Sequence, residues 1–378
     1  MTPAPIIRVE QATLGADGQV RLVVSGDLDL EHLRSVWSSS GATVQHIDGR
    51  LHATTTVQAL ARAAGRAFGA EQGRVFQSTL LEAIQAWGDP PPAVPTAAGL
   101  LRTDVRPLVM GVVNVTPDSF AEETPLYPDD HPDQAVAHGL RLLQEGADIL
   151  DVGGESTRPG ADPVDADEEA ARVVPVVARL AEAGAVISVD TSKSTVARQA
   201  LEAGACIVND VSGARDPELL AATAEAGAAY VLMHTRGTPK DMASLAQYAD
   251  VVAEVHEFLV TGLGRCADAG IAADRVIVDP GLGFAKTPEH NLALLHSLRE
   301  LRSAGRPVLV GASRKSFLGR LLDDAEPGDR LEGSLACAVT AVLHGAAVLR
   351  VHDVAATVRA ARVARAITSA TADWPALG

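Results

Sequence analysis

From residue 108 onward the chain alternates between two hydrophobic patterns. Short, continuous apolar runs rich in β-branched residues occupy 108–115, 148–154, 186–190, 206–210, 230–234, 276–281, 308–313 and 348–353. The stretches between them carry apolar residues at helical spacing. Val173, Val176, Val177 and Leu180 fall at i, i+3, i+4 and i+7, and Leu292, Leu295 and Leu298 mark a second stripe. Continuous apolar strands separated by helices predict a parallel sheet covered on both faces. Eight such units over residues 105–378 fit a (β/α)8 TIM barrel, a fold of about 250 residues. Periodicity alone leaves an open, doubly wound sheet as the alternative.

Residues 1–88 follow a different pattern. Runs at 6–11 and 20–25 flank the turn sequence GADG at 15–18, which predicts a hairpin. Val57, Leu60, Ala61, Ala64 and Phe68 form one helical stripe, and Phe76, Leu80, Ala83, Ile84 and Trp87 form another. This region reads as a small α+β domain of unknown role that packs on the barrel and adds nothing to its chemistry. Four prolines between Asp89 and Pro95 cannot continue a helix or a central strand, so residues 89–104 read as a linker. Deletion of residues 1–95 is expected to spare catalysis.

In a barrel of this kind chemistry sits where the strands end and the βα loops begin. Every run here ends in charged or amide side chains. They are Asn114, Glu155 with Thr157 and Arg158, Asp190, Asn209 with Asp210, His234, Asp279, Lys315 and Arg350 with His352. Helix capping accounts for one or two polar residues in such places, as at Asp216 or Ser194. It does not account for a full ring of them. Asp190, Asn209, Asp279 and Lys315 combine acceptors and donors that match the edge of a heterocycle. Asn114, Arg350 and His352 suit a phosphate and its metal. Ser316 opens a helix, where a backbone N–H and a hydroxyl suit a carboxylate.

Composition narrows the function further. The formal charge is −16 and no Lys/Arg run exists, so no nucleic-acid partner is expected. No apolar stretch approaches the roughly 20 residues needed to cross a bilayer, so no membrane partner is expected either. The N-terminus lacks a secretory signal, which makes the cytoplasm the expected location. Cys206, Cys266 and Cys337 are too far apart for a zinc site and read as reduced, buried thiols. His32, His46 and His52 are scattered and read as surface or hydrogen-bonded residues. Gly262-Leu-Gly-Arg-Cys-Ala imitates a dinucleotide fingerprint but lies inside a helical pattern and follows no strand.

The polar strand ends carry a resemblance. MGVVNVTPDSF at 110–120, DVGGESTRPGA at 151–161, VDTSK at 189–193 and NDVSG at 209–213 resemble dihydropteroate synthase signatures. So do MHTRGTP at 233–239, DPGLGF at 279–284, SRKSFLG at 313–319 and RVHD at 350–353. The resemblance spans about residues 105–366 in the family's order. It implies condensation of a pterin pyrophosphate with p-aminobenzoate, with Mg²⁺ as cofactor. It also implies that Asp190, Asn209, Asp279 and Lys315 hold the pterin. Asn114, Arg350 and His352 would bind the pyrophosphate and Mg²⁺, with Asn114 as metal ligand. Thr157, Arg158, Pro159, Ser316 and Phe120 would form the p-aminobenzoate pocket. Asp279, Lys315, Arg350 and Asn114 would be the catalytic set, and a homodimer is expected.

One departure stands out. Where the family continues Ser-Asp-Gly-Gly after Phe120, this chain reads AEETPL at 121–126, which passes the acidic role to Glu122 and removes the glycines. A pterin-binding paralogue with little synthase activity and a pterin-barrel methyltransferase are the competing readings.

Overall fold

The structure is a computed structural model and describes residues 5–12, 18–68, 70–115, 131–158 and 160–369. The N-terminal part folds as β1 (Ile6–Ala12), β2 (Gln19–Ser25), α1 (Leu30–Ser39), β3 (Thr43–Ile47), β4 (Arg50–Thr56), α2 (Val57–Ala67) and α3 (Ala70–Gly88). Its sheet has the order β1-β2-β4-β3, with each neighbouring pair antiparallel. The expected hairpin is β1–β2. Trp37, Phe76, Leu22, Leu51, Leu60 and Leu80 are fully buried in a core separate from that of the barrel.

This unit docks on the barrel through charge and shape. Arg8 on β1 reaches Glu300 (2.5 Å) and Asp250 (3.4 Å), and Arg50 on β4 makes a forked contact with Glu257 (2.7 and 3.0 Å). Arg299 stacks over Trp87 at 4.4 Å. The Val9 N–H donates to Ser303 Oγ (3.3 Å), which also lies 3.1 Å from the buried His256 Nε2.

Residues 89–104 hold more than a spacer. Their prolines lead into a hairpin of β5 (Val94–Thr96) and β6 (Gly99–Leu101). Val94 and Leu101 are buried among the first residues of the barrel strands and close its floor.

The barrel strands are β7 (Leu108–Asn114), β8 (Ile149–Gly153), β9 (Ile187–Asp190), β10 (Ile207–Asp210), β11 (Ala229–Met233), β12 (Val276–Asp279), β13 (Leu309–Val310) and β14 (Val348–Val351). Helices cover them: α4 (His131–Gln144), α5 (Ala166–Glu182), α6 (Ser194–Glu202), α7 (Pro217–Glu225), α8 (Val251–Asp268), α9 (Pro288–His296), α10 (Leu298–Leu301), α11 (Ser316–Leu321), α12 (Leu331–Leu343) and α13 (Val354–Ser369). The strands run parallel in the order β12-β11-β10-β9-β8-β7-β14-β13, and Val278 bridges Val308 to close the ring. Closure rules out the open, doubly wound sheet.

Local chemistry sets the helix starts. Asp216 caps α7 by accepting from the Glu218 N–H at 2.9 Å, with Pro217 in the first turn. Ser194 is not a cap; it is the first residue of α6, and Lys193 stands at the cap position without a side-chain bond. Thr287 and His290 form a reciprocal capping box on α9.

Along each strand, alternate residues face outward to the helices or inward to the barrel axis. Val152, Val189, Val208, Tyr230, Leu232 and Val278 pack outward against the helices. Met110, Ile149, Ile207, Val231, Ile277 and Val348 pack inward around Val94 and Leu101. Two residues further along the inward faces of β8, β10, β12 and β14 stand polar or charged side chains: Asp151, Asn209, Asp279 and Arg350.

Candidate active site

The inward residues at the upper ends of the strands form one bonded cluster. Arg350 on β14 donates from Nε to Asp151 Oδ2 (2.6 Å) and from Nη2 to Asp190 Oδ2 (2.6 Å). Asn209 donates from Nδ2 to the same Asp151 Oδ2 (3.0 Å). Asp151, Asp190 and Asn209 are buried, and Asp151 Oδ1 and Asp190 Oδ1 have no hydrogen-bond partner among the described residues. Unpartnered buried acceptors carry a desolvation cost that a donor-rich ligand relieves.

Asp279 and Lys315 complete the ring. The Gly281 N–H donates to Asp279 Oδ1 at 2.7 Å. Gly281 has φ +66°, and a Cβ there would lie 2.0 Å from the His234 carbonyl oxygen, so glycine is required at this turn. Lys315 donates to the Leu282 carbonyl and lies 4.5 Å over the Phe284 ring. Its aliphatic stem passes over Gly283, where a Cβ would approach Lys315 Cδ to 2.9 Å.

Burial shapes the protonation of these groups. It raises the Asp190 carboxyl, with Arg350 opposing and Asp151 adding to the rise. It also raises Asp279, against the pull of the Gly281 N–H and Lys315. Burial lowers Lys315 to about 8, with Asp279 opposing. For Arg350 burial disfavours the cation, but Asp151 and Asp190 outweigh it and the guanidinium stays charged. His352 is pushed down to about 3 by burial beside Arg350 and Arg314, so it is neutral at pH 7. Its backbone N–H donates to Ser313 Oγ (3.2 Å), and that hydroxyl faces its Nδ1 at 3.1 Å.

The other expected residues stand around this cluster. Asn114 is half-buried at the end of β7, beside Gly153 in register, and its side chain forms no hydrogen bond with another described residue. Thr157 is half-buried and lines a cavity of about 120 Å³ with Asp190, Thr191, Ser212 and Phe284. Arg158 is exposed on the loop after β8, within electrostatic reach of His352. Ser316 is exposed as the first residue of α11, directly after Lys315. Phe120, Pro159 and the altered loop at 121–126, Glu122 included, lie outside the described residues.

A larger cleft of about 990 Å³ opens between the loop after β11 and α8, lined by Arg215, Arg236, Arg265, Glu254 and Phe258. Its charges are spread along an open wall. The smaller cavity instead reaches the charged cluster through the buried Asp190, and buried, perturbed charges are the better guide to chemistry.

Three groups at the mouth had no role assigned from the sequence, although Lys193 follows Asp190 at the end of its strand. Asp151 is 0% exposed and joins two of the expected residues. Its signal was visible as a carboxylate in the middle of the otherwise apolar run ILDVG. Lys193 binds both Glu155 and the buried Glu169 and so ties the loop after β8 to the start of α5. Lys286 lies 2.9 Å from His234 Nδ1 and donates to the Phe284 carbonyl (3.0 Å). Asp210, by contrast, points outward. It accepts from Tyr230 Oη (2.5 Å) and from the Ser212 and Ala214 N–H groups, and so shapes its own turn.

A family model described as pterin binding enzyme matches residues 110–352. Dihydropteroate synthase from Escherichia coli strain K12 is 48% identical over 268 residues, covering 70% of this chain and 93% of that protein. The Mycobacterium leprae enzyme of the same name is 50% identical over 262 residues, covering 68% and 91%. The chain belongs to the dihydropteroate synthase family.

Solved structures of that family superpose on its barrel. The Xanthomonas albilineans dihydropteroate synthase with 4-aminobenzoic acid is 47% identical, with a TM-score of 0.69, and covers 74% of this chain and 100% of its own. The same organism's enzyme in complex with 7,8-dihydropteroate is 44% identical, with a TM-score of 0.67 and the same coverage. The family match begins at Met110, beyond both the N-terminal α+β unit and the floor hairpin.

Proposed function

We propose that the chain is a transferase of folate biosynthesis that condenses 6-hydroxymethyl-7,8-dihydropterin pyrophosphate with p-aminobenzoate to 7,8-dihydropteroate and pyrophosphate. The observation that carries this reading is the cluster of buried Asp190, Asn209 and Asp279 with half-buried Lys315 and Arg350 at the mouth of a barrel that matches dihydropteroate synthases.

The chemistry follows from the cluster. The bond between the pterin methylene and the pyrophosphate oxygen breaks, and the arylamine nitrogen bonds to that carbon and loses a proton. Asp190, Asn209 and Asp279 supply acceptors for ring N–H and amine groups, and Lys315 supplies a donor. Carboxylates buried below the ring stabilise positive charge as the leaving group departs. Arg350 and neutral His352 face the departing pyrophosphate; the permanent cation offsets its charge and the imidazole adds hydrogen bonding. The space for p-aminobenzoate is assigned to Thr157, Arg158 and Ser316; the resemblance adds Pro159 and Phe120, which lie outside the described residues. Phe284 beside Lys315 offers an aromatic wall. No activated serine or cysteine is required.

Mg²⁺ fits one residue. No group of three or more His, Cys, Asp or Glu among the described residues is placed to hold a metal by itself. Asn114 stands at the strand end with no side-chain hydrogen bond to another described residue, and Mg²⁺ commonly takes few protein ligands beside phosphate oxygens. The ion would offset charge on the leaving pyrophosphate, and Asn114 would orient it.

A homodimer is the assembly proposed. Val363 and Ile367 on the last helix are 60% and 63% exposed and, four positions apart, present an apolar stripe to solvent. Among the described residues no helix is long and apolar enough to cross a membrane, and the three buried free cysteines suit a reducing, cytoplasmic setting.

Pyrophosphate release measured with and without p-aminobenzoate tests the function. Stoichiometric release that requires the arylamine, with dihydropteroate as product, supports synthase activity. Tight pterin binding with no release would instead favour a binding paralogue.

A further inference from the structure

The geometry points to Asp151 as a positioning residue that sets the orientation of both Asn209 and Arg350. This rests on the pterin site proposed above. Asp151 lies on β8 two residues beyond Ile149 of the apolar floor, with 0% exposure. Both of its described hydrogen bonds end on one oxygen: Arg350 Nε at 2.6 Å and Asn209 Nδ2 at 3.0 Å. Among the described residues its second oxygen has no partner, and neither does Ser188 Oγ, its register neighbour on β9.

Charge balance alone does not explain this carboxylate. Arg350 already has a counter-ion in Asp190 at 2.6 Å, and Asn209 needs none. What Asp151 supplies is direction. The two ends of an asparagine amide have nearly the same shape, and only hydrogen-bond partners decide which faces the ligand. An ionised carboxylate accepts and never donates, so the amide nitrogen of Asn209 must turn toward Asp151. One N–H and the carbonyl oxygen remain to face the heterocycle edge as a fixed donor–acceptor pair. The same oxygen holds the Nε edge of Arg350 downward. With Nη2 committed to Asp190, the Nη1 donors remain for an anion above. A single buried oxygen thus aligns the group that reads the ring with the group that receives the leaving pyrophosphate.

The test is a double-mutant cycle read by calorimetry with two probes, 6-hydroxymethyl-7,8-dihydropterin without phosphates and inorganic pyrophosphate. Asn209→Ala and Asp151→Leu should each weaken the bare pterin about 10- to 100-fold, as expected for a charge-linked hydrogen bond. The double variant should be no worse than about threefold beyond the weaker-binding single, because the two act through one contact. Pyrophosphate affinity should fall in Asp151→Leu and hold in Asn209→Ala. Full additivity on bare pterin overturns the proposal.

Asp151→Asn keeps the fold testable if the leucine is not tolerated. Its amide oxygen can accept from both donors, so bare-pterin affinity should stay within about threefold of wild type. A folded Asp151→Asn protein that binds bare pterin as poorly as Asn209→Ala also overturns the proposal, since charge rather than orientation would then matter. If Asn209→Ala leaves bare-pterin binding unchanged, the pterin-site reading itself fails and this proposal fails with it.

Discussion

The lower and upper halves of the barrel interior are built on the same strands and the same inward faces, yet they obey opposite rules. On β8 the inward residues are Ile149 and then Asp151; on β10, Ile207 and then Asn209; on β12, Ile277 and then Asp279; on β14, Val348 and then Arg350. The lower layer is apolar and closed from below by Val94 and Leu101. The upper layer gathers buried carboxylates and an amide with half-buried cations and, among the described residues, leaves Asp151 Oδ1, Asp190 Oδ1 and Ser188 Oγ without partners. A folded chain tolerates such orphaned groups when the lower layer and the helix shell already hold the strands in place. Each fully buried Leu, Ile or Val there contributes about 1.5–3 kcal/mol relative to exposure. Stability comes from the floor, and function occupies the mouth.

Substitutions in the two layers should therefore separate activity from stability. The largest effect is expected from Lys315→Ala. It should lower turnover by about 10²- to 10³-fold, as for loss of a donor whose bond strengthens in the transition state. Circular dichroism should show an intact fold, and near-normal turnover would remove Lys315 from the site. Ile277→Ala, one layer below Asp279, should do the reverse. Deleting its buried methyl groups should cost about 2–5 kcal/mol in denaturant unfolding. Turnover per folded molecule should stay within about twofold, since the reacting groups are untouched. A severe loss of turnover in folded Ile277→Ala protein would break the division between the layers.

Titration sharpens the contrast. Lys315 sits at about 8 in the folded protein against an ordinary 10.5, with burial the main cause. Pterin affinity that uses its ammonium should fall as pH rises through about 8, by at most about tenfold per pH unit. Stability should respond with the opposite sign. Between about pH 8 and 10.5 the unfolded chain holds this proton and the folded one does not, so the contribution of Lys315 to stability rises across that window. The stability advantage of Lys315→Met over wild type should shrink there. A constant difference would mean that the lysine is not desolvated.

The smallest effect is expected from removing the N-terminal unit. Deletion of residues 1–88 should leave catalytic constants within about threefold, because its contacts with the barrel run through Glu300, Asp250 and Glu257, none of which belongs to the charged cluster. Deletion of residues 1–95 is a different experiment. It removes Val94, which is 0% exposed in the barrel floor, and should lower stability further than the shorter truncation. Equal melting temperatures for the two would show that the hairpin does not seal the floor.

Much of this was legible in the chain. The eight apolar runs marked the barrel strands because parallel strands covered on both faces need continuous hydrophobicity. Asp190, Asn209, Asp279, Lys315 and Arg350 stood out because apolar strands have no structural use for such ends. Asp151 was harder to see. It lies inside its run rather than at the tip, and only the stagger of neighbouring strands brings it level with Asn209 and Arg350. Val94 was hidden for a related reason. Prolines at 90–92 and 95 speak for a spacer, and nothing local says that a hydrophobic residue among them will meet Ile277 and Val348.

The sequence by itself determined the elements, their parallel arrangement and the presence of a polar ring, because hydrophobic period and residue type act over a few neighbouring positions. Only the tertiary structure decided which polar groups bond to one another. Asp151 and Arg350 are 199 positions apart, and Asp190 and Arg350 are 160 apart. Closing the ring between Val278 and Val308 turns these distant strand ends toward a common axis. Barrel geometry creates that proximity, and burial then makes each remaining hydrogen-bond donor and acceptor count.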